Sequence, residues 1–214
     1  SNPLCYNHPI IKAVIKKYSK NSPVKYAGQD FTVKEHLNLI EELLTITPKG
    51  MNSAFLINSG AEAVENCLKL AMRKQGKPKF GIAFHKSFHG RTIGALSCTD
   101  SKPVQKQSFL SIPIKHFDYN EEAIGEIEKI IKKNPKDVAF IIIEAIQGEG
   151  GYNIAPKRLL TNLRKLTKKY DVPFIIDEVQ SGLGRTGKWG AFQHYNITPD
   201  LMSSAKALQV GVAI

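Results

Sequence analysis

Short runs of consecutive apolar residues alternate along the chain with longer segments in which apolar residues recur every three or four positions. Residues 138–143 and 172–176 are apolar throughout, which is typical of strands that are buried on both faces of a parallel sheet. Between these runs, the leucines of residues 157–170 have the spacing of an amphipathic helix. The alternation predicts an α/β domain with a mostly parallel sheet covered by helices.

Polar residues directly follow several of the predicted strands. A turn that begins at Ser59 follows the apolar run at 54–57, Glu144 and Asp177 follow the two runs described above, and Lys206 follows a last run that begins near residue 201. Ligands of such sheets bind beyond the carboxyl ends of the strands, so we expect these residues to lie close together. The turn at Ser59 has two open interpretations, a phosphate-binding helix N-terminus or an ordinary helix cap.

Composition and charge exclude several classes of protein. The 214 residues include 30 basic and 19 acidic side chains, a net charge of +11, which favours anionic partners in general. The basic residues are spread out without a nucleic-acid motif, so no nucleic-acid partner is predicted. No apolar run approaches the ~20 residues of a membrane span, and no signal peptide or paired-cysteine pattern is visible. We expect a cytoplasmic protein without a metal site.

Two patterns suggest other chemistry, and both are incomplete. The glycines of residues 182–187, followed by Lys188, nearly fit a nucleotide phosphate loop, but Trp189 stands where that loop needs a hydroxyl and no amphipathic helix follows. A magnesium-dependent ATPase is therefore a weaker alternative. His85 and His89 have helical metal-site spacing but lack the glutamate of a zinc protease motif.

Four blocks of sequence, taken together, resemble the class III (ω-amino) aminotransferases of the pyridoxal 5′-phosphate (PLP) dependent fold type I. They are SGAEAVE at 59–65, FHGRT at 88–92, QGEGG at 147–151 and DEVQSG at 177–182. The resemblance covers nearly the whole chain. It implies that residues 25–214 form the PLP-binding large domain and that residues 1–24 are a helical segment of the small domain or connector. Only eight residues follow Lys206, so the large domain is expected to be incomplete at its C-terminus.

The resemblance assigns catalysis to Lys206 and Asp177, which are 29 residues apart. Lys206 would hold the cofactor PLP by condensing with its aldehyde and would later shuttle the substrate proton, a role that suits an amine whose pKa falls readily in a desolvated site. Asp177 would pair with the pyridinium nitrogen and keep it protonated. Its alternative role is that of a cap at a strand end.

The remaining cofactor contacts come from the same resemblance. Gln180 would contact the phenolic oxygen of the ring, and Phe88 would stack on the ring face, with core packing as its alternative role. The phosphate would be bound by the turn that follows the first strand, through the backbone N–H groups of Gly60 and Ala61 with help from Ser59.

The resemblance also implies the substrates. Arg91 would bind a substrate carboxylate through its planar guanidinium, or else be a surface arginine, and Glu149 would gate dual specificity by pairing with a second arginine. The implied reaction is a ping-pong amino transfer from 4-aminobutyrate, ornithine or N-acetylornithine to 2-oxoglutarate, in a homodimer whose active site lies at the interface. A non-catalytic PLP-fold protein that binds a partner or acts as a regulator is the alternative.

Overall fold

The computed structural model of the chain describes residues 4–21 and 33–214. Within them the helices are α1 (Pro9–Asn21), α2 (Lys34–Ile46), α3 (Gly60–Gln75), α4 (Ile93–Cys98), α5 (Ala123–Lys133) and α6 (Lys157–Tyr170). The strands are β1 (Phe55–Ile57), β2 (Phe80–Phe84), β3 (Ile114–Phe117), β4 (Val138–Glu144), β5 (Ile146–Gln147), β6 (Asn153–Ile154), β7 (Phe174–Asp177), β8 (Leu201–Ser204) and β9 (Gly211–Ala213).

Seven strands form one sheet in the order β1-β9-β8-β7-β4-β2-β3. From β8 to β3 all neighbours are parallel, whereas β9 runs antiparallel to both β8 and β1. Strand β1 therefore has the same direction as β8, and β9 is the reversed strand of this sheet. The carboxyl ends of β1, β2, β4, β7 and β8 consequently lie on one edge, which we call the carboxyl edge.

Strand β4 shows why the central strands are apolar at consecutive positions. All of its residues are buried. Phe140 and Ile142 pack in one cluster with Val64, Cys67 and other residues of α3. The alternate residues Ile141 and Ile143 pack in a second cluster with α5 and α6. Because helices cover both faces of the sheet, neither set of side chains can be polar.

The N-terminal helix α1 differs from the others in leaving its apolar side chains exposed. The predicted helical segment of residues 1–24 includes α1, but the predicted boundary between residues 24 and 25 lies outside the described residues. The exposed apolar side chains of α1 are those of Ile10, Ile11, Val14, Ile15 and Tyr18. None of the helices in residues 4–21 and 33–214 combines the length and the apolar character that a bilayer span requires.

The buried leucines of α6 should dominate the contribution of this helix to stability. Leu163 is fully buried, whereas 89% of Leu110 is exposed. Leu163→Ala should lower the free energy of unfolding by about 2–5 kcal/mol because it leaves a cavity. Leu110→Ala, the same chemical change on the surface, should cost less than about 0.5 kcal/mol. Urea unfolding of both variants measures the difference, and equal losses would contradict the described packing.

Candidate functional site

A cavity of about 460 Å³ opens at the carboxyl edge of the sheet. It brings together the residues predicted for catalysis and cofactor binding, and also the predicted substrate residue Arg91. Glu149 is exposed on the turn between β5 and β6 and does not line the cavity. The lining residues are Ser59, Gly60, Ala61, Phe88, His89, Gly90, Arg91, Thr92, Glu144, Asp177, Val179, Gln180, Ala205 and Lys206.

Asp177 is the last residue of β7 and is buried with 4% exposure. Its Oδ1 accepts hydrogen bonds from the Val179 backbone N–H (3.0 Å) and from the Ser203 hydroxyl on β8 (2.9 Å). Its Oδ2 lies 2.8 Å from Nδ1 of His89. These three contacts fix the orientation of the carboxylate at the cavity wall, so it can face a cationic group of a ligand without rearranging.

His89 is one of several lining residues that the sequence did not assign to this site, and its side chain contacts Asp177. Its ring is buried, its backbone N–H donates to the Thr99 hydroxyl (2.9 Å), and its Nε2 has no hydrogen-bond partner among the described residues. His85, four residues earlier in the chain, instead places its Nδ1 2.8 Å from Oδ2 of Asp100. The two imidazoles therefore contact different carboxylates. The available signal was the position of His89 inside the FHGRT block beside Phe88.

The N-terminus of α3 forms another part of the cavity wall. Ser59 is its N-cap residue, and the Ser59 hydroxyl accepts from the backbone N–H of Glu62 (3.2 Å). Gly60 and Ala61 open the helix, where backbone N–H groups have no intrahelical acceptor, and both line the cavity. A Cβ at Gly60 would lie 2.7 Å from Cγ1 of Val179. The helix start therefore packs tightly on the loop that follows Asp177 and offers its N–H groups to an anion.

Lys206 lies in the left-handed backbone region, with φ of +43°, which is uncommon for a residue with a Cβ. Its carbonyl oxygen accepts from both the backbone N–H (3.0 Å) and the side-chain Nε2 (2.6 Å) of Gln209. Lys206 and Gln180 also line a neighbouring cavity of about 550 Å³, together with Ile146, Gly148, Tyr152, Ser181, Arg185 and Thr186. The lysine thus lies where two cavities meet.

Glu144 is the last residue of β4 and pairs in register with Asp177 on β7. Its Oε2 accepts from the backbone N–H of Phe88 (3.0 Å), and its Oε1 accepts from that of Gly148 (3.2 Å). Burial raises the pKa of Glu144 to about 7; His89 lowers the value and the negative charge of Asp177 raises it. This carboxyl group therefore changes its charge near neutral pH.

The glycine-rich segment at 182–187 does not form a nucleotide phosphate loop. The backbone N–H of Leu183 donates to the carbonyl of Trp189 (2.7 Å), which closes the segment into a series of turns. The next helical element is a short 3₁₀ helix, Ala191–Tyr195. Because a phosphate loop needs an α-helix directly after the glycines, this segment lacks the geometry for nucleotide hydrolysis.

Comparisons with known proteins agree with the predicted resemblance. The family model described as aminotransferase class-III matches residues 1–214. An acetylornithine aminotransferase from Methanopyrus kandleri is 42% identical over 215 residues, which cover 100% of this chain and 53% of that protein. The chain spans about half the length of the curated relatives it matches.

Solved structures of transaminases share the fold. A transaminase from the marine bacterium Virgibacillus has a TM-score of 0.85 at 25% identity, over 96% of this chain and 50% of its own. The lysine aminotransferase from M. tuberculosis, in its internal aldimine form, has a TM-score of 0.82 at 25% identity, over 98% of this chain and 54% of its own.

The raised pKa of Glu144 should be visible in the pH dependence of stability. Between pH 4.5, the ordinary value, and about 7, the folded protein holds a proton that the unfolded chain has released, so this group makes stability fall as pH rises. Glu144→Gln removes the effect. The free energy of unfolding of the variant relative to the natural protein should therefore rise by up to about 3 kcal/mol across this window, at about 1.4 kcal/mol per pKa unit.

Urea unfolding at several pH values measures this change. The matched control is Glu128→Gln on α5, because the Glu128 carboxylate is only partly buried and its pKa is lowered by hydrogen bonds from Lys169 and Tyr170. The free energy of unfolding of this control should differ from that of the natural protein by a constant amount above pH 5. A flat or falling difference for Glu144→Gln would contradict the assigned direction.

Proposed function

The chain belongs to the class-III aminotransferases, and on this premise we propose that the intact protein transfers an amino group from an ω-amino acid to 2-oxoglutarate with PLP as cofactor. The observation that carries the proposal is the single cavity at the carboxyl edge. It combines the amine of Lys206, the buried carboxylate of Asp177 and the N-terminus of α3. These three chemically different groups match the three functional groups of PLP that need a partner, which are the aldehyde, the pyridine nitrogen and the phosphate.

The residues of the cavity fit PLP group by group. The backbone N–H groups of Gly60 and Ala61 suit its phosphate because a helix N-terminus favours anions. The carboxylate of Asp177, held by three hydrogen-bonding contacts, suits a protonated pyridine nitrogen. The amine of Lys206 suits the aldehyde. Phe88 lines the same cavity and provides a flat apolar face for the ring.

When bound, PLP supplies an aromatic ring that accepts the electron pair left when the substrate carbon loses its proton. Four residues of the cavity would hold this group and assist its chemistry. The Nζ of Lys206 would remove the substrate proton and later return it. Asp177 would keep the ring nitrogen protonated, Gln180 would contact the phenolic oxygen, and Phe88 would orient the ring.

Substrate binding is assigned to the two cavities that meet at Lys206. The neighbouring cavity of about 550 Å³ gives an extended amino acid room to reach the lysine. Arg91 lines the first cavity, and its guanidinium would bind a carboxylate with two parallel hydrogen bonds. Glu149, which is exposed outside the lining, would act as a gate only with an arginine from another part of the protein.

The donor that we favour is N-acetylornithine, because the curated relatives are named acetylornithine aminotransferases. Ornithine and 4-aminobutyrate are the alternatives. The reaction would be ping-pong: the donor leaves its nitrogen in the site and departs as an oxo acid before 2-oxoglutarate enters. Both half-reactions can therefore be tested separately.

We place the active protein in the cytoplasm as a homodimer. The exposed apolar row on α1, with Ile10 at 66% and Ile15 at 62% exposure, supports a protein interface because such continuous apolar surface is unfavourable in water. Sedimentation analysis of the intact protein measures the assembly state, and a monomer at all concentrations would exclude the dimer.

Lys206→Ala should abolish the visible absorption band that PLP acquires when a lysine amine holds it, since no other described lysine lines the cavity. The fold should persist because Lys206 is only partly buried. The matched control is Lys188→Ala on the exposed glycine-rich segment, which should keep the band. An unchanged band in Lys206→Ala would overturn the assignment of the cofactor lysine.

The natural protein then tests the reaction itself. Its PLP band should bleach on addition of N-acetylornithine and return with 2-oxoglutarate. A band that responds to 4-aminobutyrate instead would reassign the donor. A band that responds to no amino donor would favour a protein that binds PLP without catalysis.

Arg91→Lys should weaken binding of 2-oxoglutarate while retaining the positive charge. The loss of bidentate geometry should raise KM about tenfold or more, because hydrogen bonds to charged groups contribute about 1.5–3 kcal/mol. The control is Arg158→Lys at an exposed position of α6, which should leave KM unchanged. Steady-state kinetics of the intact enzyme measures both, and an unaltered KM in Arg91→Lys would remove Arg91 from the substrate site.

A further inference from the structure

We propose that Glu144 is a positioning residue whose carboxylate clamps together two loops, the one that carries Phe88 and Arg91 and the one that carries Gly148 and Glu149. The clamp is a geometric feature of the chain, and its effect on substrate binding rests on the proposed function. Neither loop belongs to a strand of the main sheet, so a fixed distance between them requires contacts of this kind.

One carboxylate oxygen serves each loop. Oε2 of Glu144 accepts from Phe88 N–H at 3.0 Å, and Oε1 accepts from Gly148 N–H at 3.2 Å. An ionised carboxylate is an acceptor at both oxygens. In a protonated acid or an amide, one of these two positions carries hydrogen. It then faces an N–H donor and no longer accepts a hydrogen bond from it. Only the ionised form can therefore hold both loops at once.

The two loops also touch each other directly. The side chain of Gln147 donates through Nε2 to the carbonyl of His85 (2.7 Å). A Cβ at Gly150 would lie 2.4 Å from the carbonyl oxygen of Lys86, so the backbones approach as closely as a glycine allows. The clamp thus adds to an existing contact between the two loops. We expect its loss to shift the loops relative to each other without separating them.

The turn held by Glu144 reaches a further predicted cofactor contact. A Cβ at Gly148 would lie 2.1 Å from Oε1 of Gln180, so the turn packs against the Gln180 amide. Movement of Gly148 would therefore displace Gln180, which lines both cavities. Through its two acceptor oxygens, Glu144 affects the positions of the Phe88 ring and the Gln180 amide. It also affects the positions of the two candidate substrate residues, Arg91 and Glu149.

The charged groups around Glu144 come from each neighbouring element. Asp177 at the end of β7 and His89 from the loop after β2 act on its carboxyl group. Tyr119 donates its hydroxyl to the Glu144 carbonyl (2.6 Å), and Arg91 and Lys206 line the same cavity. With the pKa of Glu144 raised to about 7 by burial, the clamp is complete above neutral pH and loses one acceptor below it.

Hydrogen exchange measured by mass spectrometry tests the clamp without requiring activity. In the natural chain, at least one of the peptides covering residues 85–91 and 146–152 should become more protected between pH 6 and pH 8, after correction for intrinsic exchange rates. In Glu144→Gln, which keeps one acceptor oxygen, at least one of the two peptides should exchange about tenfold faster at pH 8, as expected for loss of one hydrogen bond, and the pH dependence should disappear. Glu128→Gln is the control and should behave as the natural chain.

The kinetic test uses the intact enzyme loaded with PLP. Glu144→Gln should raise KM for 2-oxoglutarate about tenfold while kcat changes little. A fall in kcat at constant KM would overturn the positioning role. Unchanged exchange in both loops would overturn the clamp. Altered exchange in at least one loop, with no transfer activity in the natural enzyme, would establish the clamp and remove the proposed function.

Discussion

The common direction of β8, β7, β4 and β2 is the constraint on which the site depends. Each strand ends at the same edge, and the residue at or just after its end is polar, although the interiors of β2, β4 and β7 are buried and apolar. The hydrogen-bonded register then fixes lateral spacing, so that Glu144 on β4 lies beside Asp177 on β7. Side chains that are distant in sequence become neighbours because the pairing of the strands fixes where each strand ends.

Two buried carboxylates side by side would repel each other, and the structure accommodates them differently. Asp177 has a hydroxyl donor, a backbone donor and the ring of His89. Glu144 has two backbone donors and a pKa raised by burial. The two carboxyl groups therefore differ in their hydrogen-bond donors, and that of Glu144 gains a proton near neutral pH.

The sequence predicted the fold where the pattern is strong. The buried runs in β4 and β7 could be identified because every position is apolar, and the predicted family and fold type I are confirmed by the comparisons. The three-residue strand β9 was not predicted, because a segment that short has no measurable period and its partners β1 and β8 are set by tertiary contacts.

The candidate site was predicted unevenly for a similar reason. Strand ends and glycine turns pointed to Asp177 and Gly60, and resemblance supplied the roles, which stay predictions. The contact of His89 with Asp177 joins residues 88 positions apart, so no local pattern could show it. The two loops held by Glu144 meet through backbone N–H groups, which any residue type carries and which sequence therefore cannot reveal.

Strand β9 has a consequence for the order in which the protein can be completed during synthesis. It lies between β1 and β8 and is the strand that joins β1 to the sheet. Strand β1 leads directly into the N-terminus of α3, yet it must wait for residues near the far end of the described chain before its place in the sheet exists. Strand β1 is therefore made early by the ribosome and paired late. In a nascent chain the parallel strands β2, β4 and β7 can pair before β1 joins the sheet, so β1 is added after the central strands have formed.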